Sequence, residues 1–221
     1  MMKNTPRLAL FDLDLTVLSV NSVRDWIRNE RQQGRVSALQ ALRAAVHLFR
    51  YRYAGADVSG AISRGISHLK GEKEEDFRQR TREFWLCQMS EKIRPGAIEC
   101  IEEHRHVGDH IALLTSSSVY LAEEVAAHLA IPHVLAMRFD VQDGCFTGLP
   151  ILPLCHGAGK VILAERLALQ LGVSMQNAVF YTDSMSDLPT LEKVGTPVLV
   201  HPDPRLRQVG IARNWQIVTW D

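Results

Sequence analysis

Two aspartates two residues apart, Asp12 and Asp14, close a short apolar run, and a second acidic pair, Asp183 and Asp187, follows another apolar run far along the chain. On an extended chain, side chains two apart lie on the same face, so Asp12 and Asp14 can address one substrate. Paired acids at a strand end also cap helices or bind water, so the first pair alone leaves both readings open. The second pair narrows them. Four carboxylates at two strand ends are costly to bury together unless a cation neutralises them. Ligands that are all oxygen select a hard ion, and Mg²⁺ is the usual choice where phosphate shares the site.

A phosphate also needs donors. Thr115, Ser116 and Ser117 end an apolar run and lead into a helical pattern. A hydroxyl and backbone N–H groups at a positive helix terminus can hold phosphate oxygens, and the same residues can form an ordinary N-cap. Lys160, behind Gly157 and Gly159, opens a further helical pattern. It can steady the charge of phosphate and nucleophile, or stand in solvent as lysines at helix starts commonly do.

These residues need a scaffold that delivers them to one place. The runs Arg7–Asp12, His110–Thr115, Ala178–Thr182 and Thr196–Val200 are apolar, rich in β-branched or aromatic residues, and turn polar at their ends. They read as strands buried on both faces. Helical patterns over Val119–Leu129 and Lys160–Leu171 alternate with them, which predicts an α/β fold with a parallel, doubly wound sheet. Ligands bind beyond the carboxyl ends of such strands, where the polar clusters stand. The stretch 22–90 breaks the rhythm. Leu39, Leu42, Val46, Phe49 and Tyr53 recur at helical steps, Ile62, Ile66 and Leu69 repeat the spacing, and Phe77 and Phe84 lie one heptad apart. A helical bundle without strands, inserted after the first strand, is the expectation. The run Phe139–Gly148 reads as a hairpin around Asp143–Gly144.

Taken in order, DLDLT at 12–16, LLTSSS at 113–118, GAGK at 157–160 and DSMSD at 183–187 resemble the four motifs of the haloacid dehalogenase-like superfamily, across nearly the whole chain. The insertion after the first motif is similar to subclass IB, the phosphoserine phosphatase-like branch. The resemblance implies a Rossmann-like core over residues 1–20 and 91–221 and an inserted helical-bundle (C1-type) cap over 21–90. It also implies a Mg²⁺-dependent phosphatase acting on a small phosphate monoester. Asp12 would be the nucleophile that becomes an aspartyl-phosphate and Asp14 the general acid and base, with Thr115 and Lys160 completing the catalytic set. Asp12, the Asp14 backbone carbonyl, Asp183 and Asp187 would hold the metal, with Asp187 acting directly or through water. Thr16, Asn21, Ser116 and Ser117 would face the substrate. An acid at Asp14 separates the chain from the dehalogenases of the superfamily. Three positions depart from the pattern. Leu15 stands where a small or polar residue is usual, Asn21 where phosphoserine phosphatases carry a glutamate, and Gly65 where they carry a carboxylate-binding arginine, with Arg64 adjacent. Asn21 can also serve as the cap of the helix that begins near Val23.

Composition bounds the rest. The chain has 221 residues, a formal net charge of zero and no basic stripe, so a nucleic-acid partner is not expected. Asp12 and Asp14 interrupt the apolar N-terminal stretch, so neither a signal peptide nor a membrane span is expected. Cys87, Cys100, Cys145 and Cys155 show no CxxC spacing, so no zinc site or disulfide framework is indicated and a reducing cytoplasm fits. His104, His106 and His110 cluster around Gly108 and read as a solvated helix end and turn. A small phosphorylated metabolite is the expected partner. A phosphotransferase acting on an alcohol acceptor and a metabolite-binding protein without turnover remain the alternatives, and the oligomeric state is open.

Overall fold

In the computed structural model of the protein, the described residues are 6–35, 60 and 65–221. The central strand β1 (Leu8–Phe11) shows why a run of apolar residues becomes the middle of a sheet: all four side chains are buried. Alternation sends Leu8 and Leu10 into one core and Ala9 and Phe11 into the other. Two layers of helices must therefore cover the sheet.

The chain continues through a tight loop into α1 (Ser22–Gln32), and later through α2 (Glu74–Phe84) and α3 (Pro95–Val107) to β2 (His110–Ser118). Next come α4 (Val119–His128), β3 (His133–Met137) and a hairpin of β4 (Phe139–Gln142) and β5 (Cys145–Pro150). The last part runs α5 (Ala158–Gln170), β6 (Ala178–Thr182), α6 (Leu188–Leu191), β7 (Thr196–Val200), α7 (Pro204–Ala212) and β8 (Gln216–Val218). Six strands form one sheet in the order β3-β2-β1-β6-β7-β8, with parallel pairing throughout. Ala97, Ile101, Ala122 and Val125 from α3 and α4 join the Phe11 core, and Ala164, Leu167 and Ala168 from α5 join the Leu10 core. The order reverses at β1, whose neighbours are β2 and β6, so a crevice opens at its carboxyl end.

All four strands expected from the sequence are present, and β3 and β8 add the edges. The expected hairpin is there as well. Asp143 and Gly144 both take positive φ, 51° and 74°, the conformation a two-residue type I′ turn requires. One difference concerns the insertion. The segment 71–74, expected to carry no strand pairing, bonds to the hairpin edge: Gly71 N donates to Phe146 O at 2.8 Å, Phe146 N to Glu72 O at 2.9 Å and Glu74 N to Gly144 O at 2.9 Å. An open hairpin edge presents unpaired N–H and C=O groups, and this segment satisfies them.

Of the inserted bundle, α1 and α2 lie within the described residues. Trp26 of α1 meets Phe77 and Phe84 of α2 at centroid distances of 5.4 and 5.3 Å. Phe77 in turn meets Phe146 of the hairpin at 5.5 Å and Tyr120 of α4 at 5.2 Å. The heptad pair Phe77 and Phe84 is thus the face that packs. The helical pattern Leu39–Tyr53, with Ile62 and Arg64, lies outside the described residues. Among the described residues no helix is long and apolar enough to cross a membrane.

His104 corrects the reading of a solvated histidine cluster. It is buried, its Nδ1 lies 2.7 Å from Asp109 Oδ2 and its Nε2 2.9 Å from the Tyr181 hydroxyl. A helix end that packs against the sheet turns its inner histidine into a core bridge, while His106 stays exposed.

Candidate active site

The ends of β1, β2 and β6 and the first turn of α5 carry the four motifs. Asp12 follows β1 directly, its N–H donating to Tyr181 O at 2.9 Å. After Asp12 the backbone leaves extended geometry in a tight loop over Leu13–Val17, closed by Leu18 N donating to Leu13 O at 2.8 Å. Leu15 holds this turn at φ 60°, ψ 0°, the left-handed region that costs an L residue about 1 kcal/mol or more. Its position among residues usually small or polar therefore has a conformational meaning.

Lys160 is the centre of the site's charge. The first turn of α5 carries it inward until it is 1 % exposed. Its ammonium donates to Asp12 Oδ1 at 2.9 Å and to Asp187 Oδ2 at 2.8 Å. The two glycines before it make this approach feasible: Gly157 takes φ 51°, ψ −124°, and a Cβ on Gly159 would stand 1.8 Å from Leu154 O. Burial alone would favour the neutral amine, and the charges of Asp12 and Asp187 together reverse that and raise its pKa. Burial pushes the Asp12 carboxyl up to about 7, against the pull of Lys160 and reinforced by Asp187.

Asp14 sits in a different environment. Burial raises its pKa, and hydrogen bonds from Ser22 and Ser117 act in the opposite direction. Ser22 N donates to Oδ1 at 2.8 Å and Ser117 Oγ to Oδ2 at 2.9 Å.

The second motif is placed differently from a helix opening. Strand β2 runs to Ser118, which caps α4 by accepting from Leu121 N at 3.4 Å. The helix begins at Val119 as expected, and it is the strand that runs three residues beyond the expected Thr115. The pairing with β3 is irregular between Leu114 and Ser118, so Thr115, Ser116 and Ser117 depart from a regular ladder. Thr115 is buried and its Oγ1 accepts from Ser117 N at 3.1 Å. Ser116 Oγ donates to Cys155 O at 2.9 Å and lies 3.3 Å from His156 Nδ1. The Ser117 side chain turns to Asp14. Thr16 is fully buried in the first loop. Asn21 caps α1, its Oδ1 accepting from Arg24 N at 3.0 Å.

The fourth motif brings Asp183 and Asp187 to the end of β6, both buried. Thr182 Oγ1 donates to Asp187 Oδ2 at 2.6 Å, while Asp187 Oδ1 is buried with no hydrogen-bond partner among the described residues. Asp203 secures the loop from behind: its Oδ2 accepts from Met185 N at 2.7 Å and its own N–H donates to Asp183 O at 2.8 Å. Thr182, Asp203 and Ser22 were not singled out from the sequence. Asp203 carried a signal, since an acid followed by proline is a common helix start. Ser22 carried none, because its partners are remote in sequence.

The sequence profile of the haloacid dehalogenase-like hydrolases matches residues 9–192. A phosphoserine phosphatase of Mycobacterium tuberculosis is 28 % identical over 95 % of this chain and 69 % of its own length. A histidinol-phosphatase of Neisseria meningitidis is 25 % identical over 99 % of this chain and 100 % of its own. A crystal structure of a protein of unknown function from Bordetella pertussis superposes with a TM-score of 0.88 at 27 % identity, covering 97 % of this chain and 99 % of that one. The chain therefore belongs to the haloacid dehalogenase-like hydrolase family, on its phosphoserine phosphatase-like branch, and is a phosphoric monoester hydrolase.

Proposed function

We propose that the protein is a Mg²⁺-dependent phosphatase that hydrolyses a small phosphate monoester through an aspartyl-phosphate on Asp12. The observation that supports it best is the contrast between the two first-motif acids. Burial raises the pKa of both, but Asp12 is paired with a buried ammonium that favours its anion, whereas Asp14, two residues on, is held by the uncharged donors Ser22 and Ser117. The ammonium favours the anion of Asp12 that attacks, and the uncharged donors leave Asp14 suited to carry a proton.

Asp12 Oδ attacks phosphorus in line as the bond from phosphorus to the leaving oxygen breaks, and Asp14 gives that oxygen a proton. Asp14 then takes a proton from the water that attacks the acyl-phosphate, which releases inorganic phosphate and restores the Asp12 carboxylate. Lys160 favours the ionised form of Asp12 against the effect of burial and offsets the phosphoryl charge during attack. Thr115 stands at the same strand end as Asp12, since Leu113 pairs with Phe11.

The residues fit a divalent cation. Asp12 and Asp187 share the Lys160 ammonium, Asp14 and Asp183 stand two and four residues from them in the same motifs, and Asp187 Oδ1 lacks a hydrogen-bond partner among the described residues. Asp12, Asp183, Asp187 and the Asp14 backbone carbonyl would hold Mg²⁺, which when bound supplies positive charge toward the phosphate oxygens. We further propose that residues 21–90 form a cap over the crevice, consistent with α1 starting one residue after Asn21. A cap of this kind favours small substrates.

Mg²⁺-dependent release of phosphate from p-nitrophenyl phosphate tests the reading, with Asp12→Asn expected to abolish turnover because an amide cannot become an acyl-phosphate. Substantial residual turnover in Asp12→Asn would overturn it.

A further inference from the structure

The hydroxyl of Ser117 has one proton, and the geometry commits it to Asp14 Oδ2 at 2.9 Å. Ser22 Oγ lies 3.0 Å from Ser117 Oγ. With its proton in use, Ser117 can only accept from Ser22, so the direction of the chain is Ser22 to Ser117 to Asp14. Ser22 also donates its backbone N–H to Asp14 Oδ1 at 2.8 Å. Both serines are buried, and Ser22 is the first residue of α1. The two oxygens of Asp14 are thus held by one residue of the core strand β2 and one of the first inserted helix, 95 positions apart.

We infer that Ser22 and Ser117 are positioning residues for the proton transfer by Asp14, and that Ser22 ties the placement of that acid to helix α1. The inference rests on the phosphatase reading given above. Both donors bond more strongly to a carboxylate than to a carboxylic acid, so their bonds strengthen as Asp14 loses its proton to the leaving oxygen. Interactions that grow toward the transition state accelerate the reaction, whereas those equal in both states do not. A hydrogen bond to a charged group corresponds to roughly ten- to a hundredfold in rate. The gain should appear only where the leaving group needs a proton.

That condition separates positioning from mere structural support. An alkoxide leaves poorly without a proton, whereas p-nitrophenolate leaves well. The experiment compares kcat/KM for glycerol phosphate and for p-nitrophenyl phosphate, because this constant covers the steps up to departure of the leaving group. In Ser117→Ala the ratio of the two, alkyl over aryl, is expected to fall roughly tenfold or more relative to wild type. Ser22→Ala keeps the backbone donor and should give a smaller fall in the same direction. Ser22→Pro removes that donor as well, at the first position of a helix where proline is tolerated, and Asn21 at φ −92°, ψ 111° already has the extended backbone a following proline demands. Its ratio should fall further than that of Ser22→Ala. Equal losses on both substrates in Ser117→Ala and Ser22→Pro would overturn the positioning role while leaving the phosphatase reading intact. A wild type that releases phosphate from neither ester would overturn both.

Discussion

Lys160 donates to Asp12 at 2.9 Å across 148 residues of sequence, and the same ammonium reaches Asp187 at 2.8 Å. A single buried cation thus links the first, third and fourth motifs. Removing it leaves carboxylates buried without compensation, a class of change that costs about 3–5 kcal/mol. Lys160→Met is therefore expected to lose about that much stability toward urea at neutral pH without metal, and to regain part of it in Mg²⁺. Its kcat should fall roughly a hundredfold or more. Unfolding curves with and without Mg²⁺ check the first expectation, and an unchanged midpoint would contradict the charge pairing.

The elevated pKa of Asp12 makes a signed prediction. Burial raises the carboxyl from 3.8 to about 7 in the folded protein. The folded state then holds a proton that the unfolded chain has released, so this group favours folding at low pH and loses that contribution as pH rises through about 7. In metal-free protein, the stability difference between wild type and Asp12→Asn should shift against the wild type from about pH 4 to pH 7. Melting temperatures of both proteins across that window, in chelator, provide the measurement. A parallel pair of curves would show that Asp12 titrates as an ordinary carboxylate.

Gly159 should be irreplaceable. In an exposed helix interior, alanine is more favourable than glycine by about 1 kcal/mol. Here an added Cβ would stand 1.8 Å from the Leu154 carbonyl oxygen and 3.0 Å from its carbon, both backbone atoms that cannot rotate away. Gly159→Ala is expected to destabilise by about 3 kcal/mol or more. It should also displace the adjacent Lys160 and lower activity. Chemical denaturation and phosphatase assay of the purified variant test both parts.

What could be read from the sequence depended on how local the cause was. Leu8–Phe11 announced a central strand because burial on both faces demands an apolar run, and Asp143–Gly144 announced its turn because few residue pairs accept two positive φ values. The short edge strand β8 lacks such a signal, since three residues carry too little pattern. The start of α4 at Val119 was legible, whereas the end of β2 was displaced for a subtler reason: the run turns polar at Thr115, yet the strand continues through Ser116 and Ser117 to Ser118, which caps the helix. His104 was misjudged because its partners, Asp109 and Tyr181, include one from a strand remote in sequence from its helix. The same is true of Ser22, whose bonds to Asp14 and Ser117 exist only once the sheet and α1 are assembled.

The last prediction concerns the substrate and turns on Asn21. A phosphoserine ammonium would call for a carboxylate near the leaving group, and this position offers an amide. The amide oxygen is engaged in capping α1, accepting from Arg24 N at 3.0 Å. The remaining amide N–H groups are donors, the wrong polarity for an ammonium. Hydrogen bonds to charged groups are worth about 1.5–3 kcal/mol, so their absence corresponds to roughly ten- to a hundredfold in specificity. Wild-type kcat/KM for phosphoserine is therefore expected to fall at least tenfold below that for a neutral-alcohol phosphate such as glycerol phosphate. Asn21→Glu should narrow the gap. Asn21→Ala removes only the cap, and should cost about 1 kcal/mol of stability while leaving the ratio unchanged. Phosphoserine outranking the neutral ester in the wild type would show that another residue recognises the ammonium, and would align this chain's substrate with the name of its mycobacterial relative.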